Sequence, residues 1–161
     1  MIASQRHLAN VAWEAMLSAH ATLMKQFAAE DIWAEASMRE YDVLYTLSKC
    51  PAPLRMSELN RHVLLSQPAL SRLVDRLAER GLLERKPDPA DGRAIRLALT
   101  DSGRVLQRQV GLQHGSSVAR AMAARLTPGE LQQLETICLK LAREPALAGL
   151  PANDTNGTTH P

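Results

Sequence analysis

Between residues 66 and 76 the chain carries Ser66, Gln67, Ser71, Arg72 and Arg76, hydrogen-bonding side chains interleaved with Leu70, Leu73 and Val74. If this stretch is helical, Leu70, Leu73, Val74 and Leu77 share the inward face, and Gln67, Ala69, Ser71, Arg72 and Arg76 point outward near its start. Such a face is suited to recognition. An arginine fork matches the O6 and N7 acceptors of guanine, a glutamine amide matches adenine, and hydroxyls with the first helical amides suit phosphate oxygens. An ordinary solvated face, with Arg76 and Arg80 paired to Asp75 and Glu79, has the same composition and stays open at this point.

The charge distribution is compatible with both readings. Residues 55–108 hold 11 basic and 7 acidic side chains, ten of the basic ones arginine, a net of +4 in a chain whose total is +2. Positive charge is therefore concentrated where a polyanion would sit. The five aromatic residues, Trp13, Phe27, Trp33, Tyr41 and Tyr45, all precede residue 46. The arginine-rich part has no ring on which to stack an unpaired base, which excludes single-strand and RNA binders of the stacking kind.

Other chemistries find little support. No context suggests a Ser-His-Asp arrangement, a glycine-rich phosphate loop or paired carboxylates, so no enzyme and no cofactor is expected. His7, His20, His62, His114 and His160 show no ligand spacing, and Cys50 and Cys138 lie far apart without a Cys-x-x-Cys pair. Neither a metal site nor a disulfide is expected, and both thiols are expected to be reduced and partly buried. No apolar run approaches 18 residues, and Gln5, Arg6, His7 and Asn10 stand where a signal peptide would be apolar. The expectation is a cytoplasmic, nucleoid-associated protein with no membrane partner.

The elements that must position these residues follow from periodicity and punctuation. A long amphipathic helix is expected over residues 4–27, through Leu8, Val11, Ala15, Leu23 and Phe27. Ser37 with Glu40 forms a capping box for a second helix that Cys50-Pro51-Ala52-Pro53 ends. A short helix over 57–63 precedes one that Ser66 caps, that tolerates Pro68 in its first turn and that stops at Gly81. The period then changes to two. Residues 82–86 and 95–99 read as a two-stranded hairpin with one buried face, Ile95, Leu97 and Leu99 inward, around a turn rich in Pro, Asp and Gly. Thr100 caps a long helix to about residue 124, which Gly103, Gly111 and Gly115 should loosen or bend. Thr127, Pro128 and Glu130 open a last helix carrying Leu131, Leu134, Cys138 and Leu141, and the composition beyond residue 144 predicts a disordered tail. A short helix, a tight turn, a capped helix and a hairpin make a winged helix-turn-helix.

Five runs carry a resemblance to a known family: Leu-Arg-Met-Ser-Glu-Leu at 54–59, Ser-Gln-Pro-Ala-Leu-Ser-Arg-Leu-Val-Asp-Arg-Leu at 66–77, Arg-Gly-Leu-Leu-Glu-Arg at 80–85, Asp-Pro-Ala-Asp-Gly-Arg at 88–93 and Leu-Thr-Asp-Ser-Gly at 99–103. In this order the chain resembles the MarR (multiple antibiotic resistance regulator) family of bacterial transcription factors. The resemblance implies a fold that is mainly α with a small β-hairpin, a winged helix-turn-helix with N- and C-terminal dimerisation helices. It divides the chain into a dimerisation helix (1–36), a DNA-binding domain (37–100), C-terminal dimerisation helices (101–144) and the tail (145–161). It implies a homodimer on a pseudo-palindromic double-stranded DNA operator, contacted through Ser66, Gln67, Pro68, Ala69, Ser71, Arg72 and Arg76. At the wing, it places Arg93 in the minor groove with Asp91 orienting it. Ala90 and Gly92 stand where the commonest family pattern has further basic residues.

Repression is the family's usual mode, and many members release DNA on binding a small aromatic or phenolic compound. The set Trp13, Met16, His20, Met24, Phe27, Trp33, Arg39, Tyr41 and Tyr45 is the expected pocket, with His20 and Arg39 available to an anionic group. The peroxide-sensing branch uses a cysteine near the start of the chain, where this sequence has none, which leaves Cys138 without a stated role. A winged helix used for DNA architecture or protein interaction, without effector response, is the alternative.

Overall fold

A computed structural model of the chain describes residues 3–91 and 93–142. Gly92 and the expected tail lie outside the described residues. In chain order come α1 (Ala3–Ala28), a single 3-10 turn (Asp31–Trp33), α2 (Met38–Lys49), β1 (Leu54–Arg55), α3 (Met56–Asn60), α4 (Gln67–Glu79), β2 (Leu83–Pro87), β3 (Ile95–Leu99), α5 (Asp101–Ala123) and α6 (Pro128–Ala142). The architecture is mainly helical with a small antiparallel sheet. Met1–Ala124 form one compact unit and Arg125–Pro161 a second.

In the first unit, α2, α3, α4, the sheet and the first half of α5 close around one core. Val43 and Leu44 of α2, Leu59 of α3, and Leu70, Val74 and Leu77 of α4 are fully enclosed, and Leu97 of β3 and Leu106 of α5 are buried with them. The expected inward face of α4 is therefore the observed one. The α2 capping box forms as the sequence predicts: Ser37 Oγ accepts from the Glu40 amide, and Glu40 Oε2 accepts from the Ser37 amide at 2.8 Å. At the end of α4, Gly81 takes φ +70°. The Gly81 amide donates to Ala78 O and the Leu82 amide to Leu77 O, the paired bonds of a Schellman motif, which only a left-handed residue closes without strain.

Four local expectations are corrected. The sheet has three strands in the order β1-β3-β2, because Leu54 and Arg55 pair with Leu97 and Arg96. Two residues are too short a run for any alternation to announce a strand. Ile95 is 54% exposed, since the outer end of the hairpin extends past the core that buries Leu97 and Leu99. The helix expected over 57–63 is the single turn of α3. Ser66 stands at the N-cap of α4, but its hydroxyl makes no capping bond. Pro68, at the second helical position, has removed one of the amides such a cap would bind.

α5 runs unbroken through its three glycines, and two of them have a packing reason. A Cβ at Gly103 would lie 2.0 Å from Leu82 O, and one at Gly111 would lie 3.1 Å from the Tyr41 hydroxyl. At these two positions the missing side chain admits a close neighbour. Thr100 secures the same junction: its hydroxyl donates to Gly81 O at 2.7 Å and accepts from the Gly103 amide at 3.0 Å.

The first two-thirds of α1 buries nothing within its own unit, leaving Leu8, Val11, Trp13, Met16 and Leu17 exposed, while Phe27 near its end is enclosed. In the second unit α6 starts at the predicted box, Thr127 Oγ1 accepting from the Glu130 amide and Glu130 Oε2 from the Thr127 amide. No residue of α6 is buried, and Leu134, Ile137, Leu139 and Leu141 are all exposed.

Candidate nucleic-acid interface

The start of α4 presents the residues that the sequence singled out. Ser66, Gln67, Pro68, Arg72 and Arg76 are exposed, and Ala69 and Ser71 are half-buried at the edge of the same face. The pairing of Arg76 and Arg80 with Asp75 and Glu79 is not observed. Arg80 instead bonds Glu40 Oε1 at 3.2 Å and the Glu35 carbonyl, and Asp75 accepts from Arg85 of β2. The charges at the far end of α4 are thus used to hold α2 and the hairpin against it. Burial pushes the Glu40 carboxyl up, but the Ser37 amide and hydroxyl, with Arg80 and Arg76, outweigh burial and leave it lowered. Arg72 and Arg93 have no salt bridge among the described residues, which leaves both forks open to an external anion.

The wing is built around the first residue of the 88–93 run, to which the sequence assigned no role. Asp88, the residue after β2, is only 2% exposed, and its Oδ2 accepts from Arg55 Nε at 2.6 Å and from Arg96 Nε at 2.9 Å. Its Oδ1 accepts from the Ala90 amide at 2.9 Å, and the Arg96 guanidinium continues to Pro53 O at 3.0 Å. One carboxylate thereby ties β1, β3 and the turn of the wing together. The Ala90 amide, followed by Arg55 and Arg96, outweighs desolvation and brings the Asp88 carboxyl down to about 2. Asp91 acts more locally: its carboxylate accepts from the Arg93 amide at 3.1 Å and shapes the tip. Arg93 is exposed there.

The expected pocket residues fall into two groups. Phe27, Trp33 and Tyr41 surround His114 of α5, with ring centroids at 5.2, 5.3 and 5.5 Å, and Tyr45 stacks on Tyr41 at 5.7 Å. Trp33 Nε1 donates to Phe27 O at 2.7 Å. His114 was missed as a member because its residue spacing carries no ligand pattern. Its Nδ1 is buried without a hydrogen-bond partner among the described residues. Trp13, Met16, His20 and Met24 stand exposed along α1, outside this cluster. Arg39 is also exposed and, with Trp33, Ala28, Ser37 and Met38, lines an open cleft of about 310 Å³.

Cys50 is half-buried, and burial pushes its thiol up, whereas Cys138 is exposed, against the expectation of partial burial. Among the described residues no cluster of His, Cys, Asp and Glu could hold a metal ion, and no helix is long and apolar enough to cross a membrane.

The MarR family model matches residues 37–94, which span α2 to the tip of the wing. The multiple antibiotic resistance protein MarR of Escherichia coli strain K12 is 29% identical over 102 residues, covering 63% of this chain and 70% of that protein. Among solved structures, Sco3205 of Streptomyces coelicolor, a MarR family transcriptional regulator in complex with DNA, is 28% identical with a TM-score of 0.69, covering 88% of this chain and 91% of that one. The PcaV regulator of Streptomyces coelicolor, in complex with its natural ligand, is 27% identical with a TM-score of 0.61, covering 88% and 96%. With the helix-turn-helix and the three-stranded wing on the page, residues 37–94 are a winged-helix domain of the MarR family, and the chain as a whole is similar to transcriptional regulators of that family.

Proposed function

We propose that the protein is a homodimeric, sequence-specific regulator of double-stranded DNA, a repressor that a small aromatic acid or phenol releases. The observation that carries the DNA reading is the exposed start of α4, where Gln67 and the unpaired fork of Arg72 project from a helix whose other face is locked in the core. Arg72 reads a guanine edge in the major groove and Arg93 enters the adjacent minor groove. Support comes from Sco3205, whose structure holds DNA.

The apolar residues that α1 and α6 leave exposed support dimerisation, since each helix needs a surface its own unit does not provide. A two-fold dimer reads half-sites about 34 Å apart on a pseudo-palindrome. Sedimentation at micromolar concentration is expected to give a dimer, and a stable monomer overturns this part. The ring cluster around His114 and the neighbouring cleft at Arg39 support the effector reading, as does PcaV, whose structure holds its natural ligand.

The test is a footprint on the DNA flanking the protein's own gene, repeated with a panel of phenolic acids. A protected pseudo-palindrome that one acid releases is the expected result. Binding to the best site no more than a few-fold above random duplex, where a specific regulator reaches roughly a thousandfold, favours an architectural role instead. Arg72→Ala is expected to cost about 1–3 kcal/mol of binding and to relax preference at one base pair. A uniform loss across all sequences reassigns Arg72 to phosphate.

A further inference from the structure

We propose that Leu64 is a specificity-determining residue of the DNA-reading surface, one that packs on the methyl group of a thymine at the margin of the base pairs reached by α4. The inference rests on the reading of α4 as the recognition helix.

The turn between α3 and α4 is fixed on both sides of Leu64. Val63 is buried and Leu65 packs against the core, while the His62 amide closes onto Leu59 O at 3.0 Å. With both neighbours turned inward, the backbone projects the side chain at 64 away from the protein. It is 94% exposed, well above the next large apolar residue among those described, Leu112 at 76%. Single exposed leucines are ordinary on protein surfaces and need no explanation by themselves. This one is set apart by its pinned backbone and by its place, two residues before the N-cap Ser66 and on the same end of α4 as Gln67 and Pro68, which are exposed with it.

The chemistry of the groove then identifies the contact. Of the four bases, only thymine shows an apolar group, its C5 methyl, at the major-groove edge. An isobutyl group brought against guanine, adenine or cytosine would cover polar atoms without replacing their hydrogen bonds with water. Leu64 thus selects thymine by shape and desolvation, beside a helix that selects its bases by hydrogen bonds.

The experiment uses the full chain and a duplex that it enriches from a random pool. Affinity is measured by fluorescence anisotropy for that duplex and for versions in which each thymidine is replaced singly by deoxyuridine, which lacks only the methyl group. The wild type is expected to lose about fourfold at one thymidine, the factor that corresponds to burying one methyl group. Leu64→Ser is expected to bind the two forms of that site equally, with an unchanged thermal melt because the side chain supports no packing. A wild type insensitive to every replacement, or a Leu64→Ser protein that keeps the same sensitivity, overturns the proposal and leaves α4 as the recognition helix. If no duplex is enriched, or Arg72→Ala leaves affinity unchanged, the reading of α4 fails and takes the proposal with it.

Discussion

Gly103→Ala is expected to destabilise the protein by about 3 kcal/mol, a large share of the stability of a domain this size. The added Cβ would lie 2.0 Å from the carbonyl oxygen of Leu82. Relief requires moving backbone, not a side-chain tip. That backbone leads from the Schellman turn at Gly81 into β2, and Thr100 bonds both the Gly81 carbonyl and the Gly103 amide. Nothing at the junction has room to yield. Urea unfolding measures the loss, with Gly115→Ala as its counterpart. A Cβ at Gly115 meets nothing within 4 Å, so alanine there is expected to add about 1 kcal/mol through helix propensity alone. Equal midpoints for Gly103→Ala and wild type would remove the case for a packed junction.

Asp88→Asn is expected to weaken duplex binding by about tenfold, roughly the worth of one arginine contact to DNA, because it unpins the wing that carries Arg93. Asparagine keeps the shape but loses the charge that holds Arg55 and Arg96, both bonded to Oδ2. Adding Arg93→Ala to Asp88→Asn should then cost little more than either alone. Full additivity would separate Asp88 from the wing contact. The pH dependence has a definite sign. The folded carboxyl is depressed to about 2 from an ordinary 3.8, so its contribution is complete above the unfolded value and disappears as pH falls through the folded one. Thermal melts of wild type and Asp88→Asn should differ by a constant amount above about pH 5 and converge toward pH 2. A difference that persists at the acid end would show that the charge is not what matters.

The parts of the fold that were legible in the sequence are those whose causes lie within one or two turns of chain. Ser37 with Glu40, the inward stripe of α4 and the stop at Gly81 are local devices, and each appears where the sequence places it. What escaped depends on partners far along the chain. Asp88 meets Arg55 across 33 positions, and β1 exists only because Leu97 and Arg96 are there to pair with it. A glycine read alone suggests looseness, but at 103 the reason for it is a carbonyl oxygen 21 positions earlier. His114 likewise looked like a solitary polar residue until α1, the 3-10 turn and α2 each brought it a ring. The exposed face of α4 was readable because it is the complement of a buried one.

The two ends of α4 bear on how the protein would meet DNA. Pro68 holds φ in its first turn, and Gly81 with Thr100 locks its last. The helix thus exists before any encounter, and docking has no folding step to complete. Its heat-capacity change should therefore scale with the surface covered between helix and groove, without the larger signature of a segment that orders as it binds. The association rate, in turn, is governed by collision, orientation and salt.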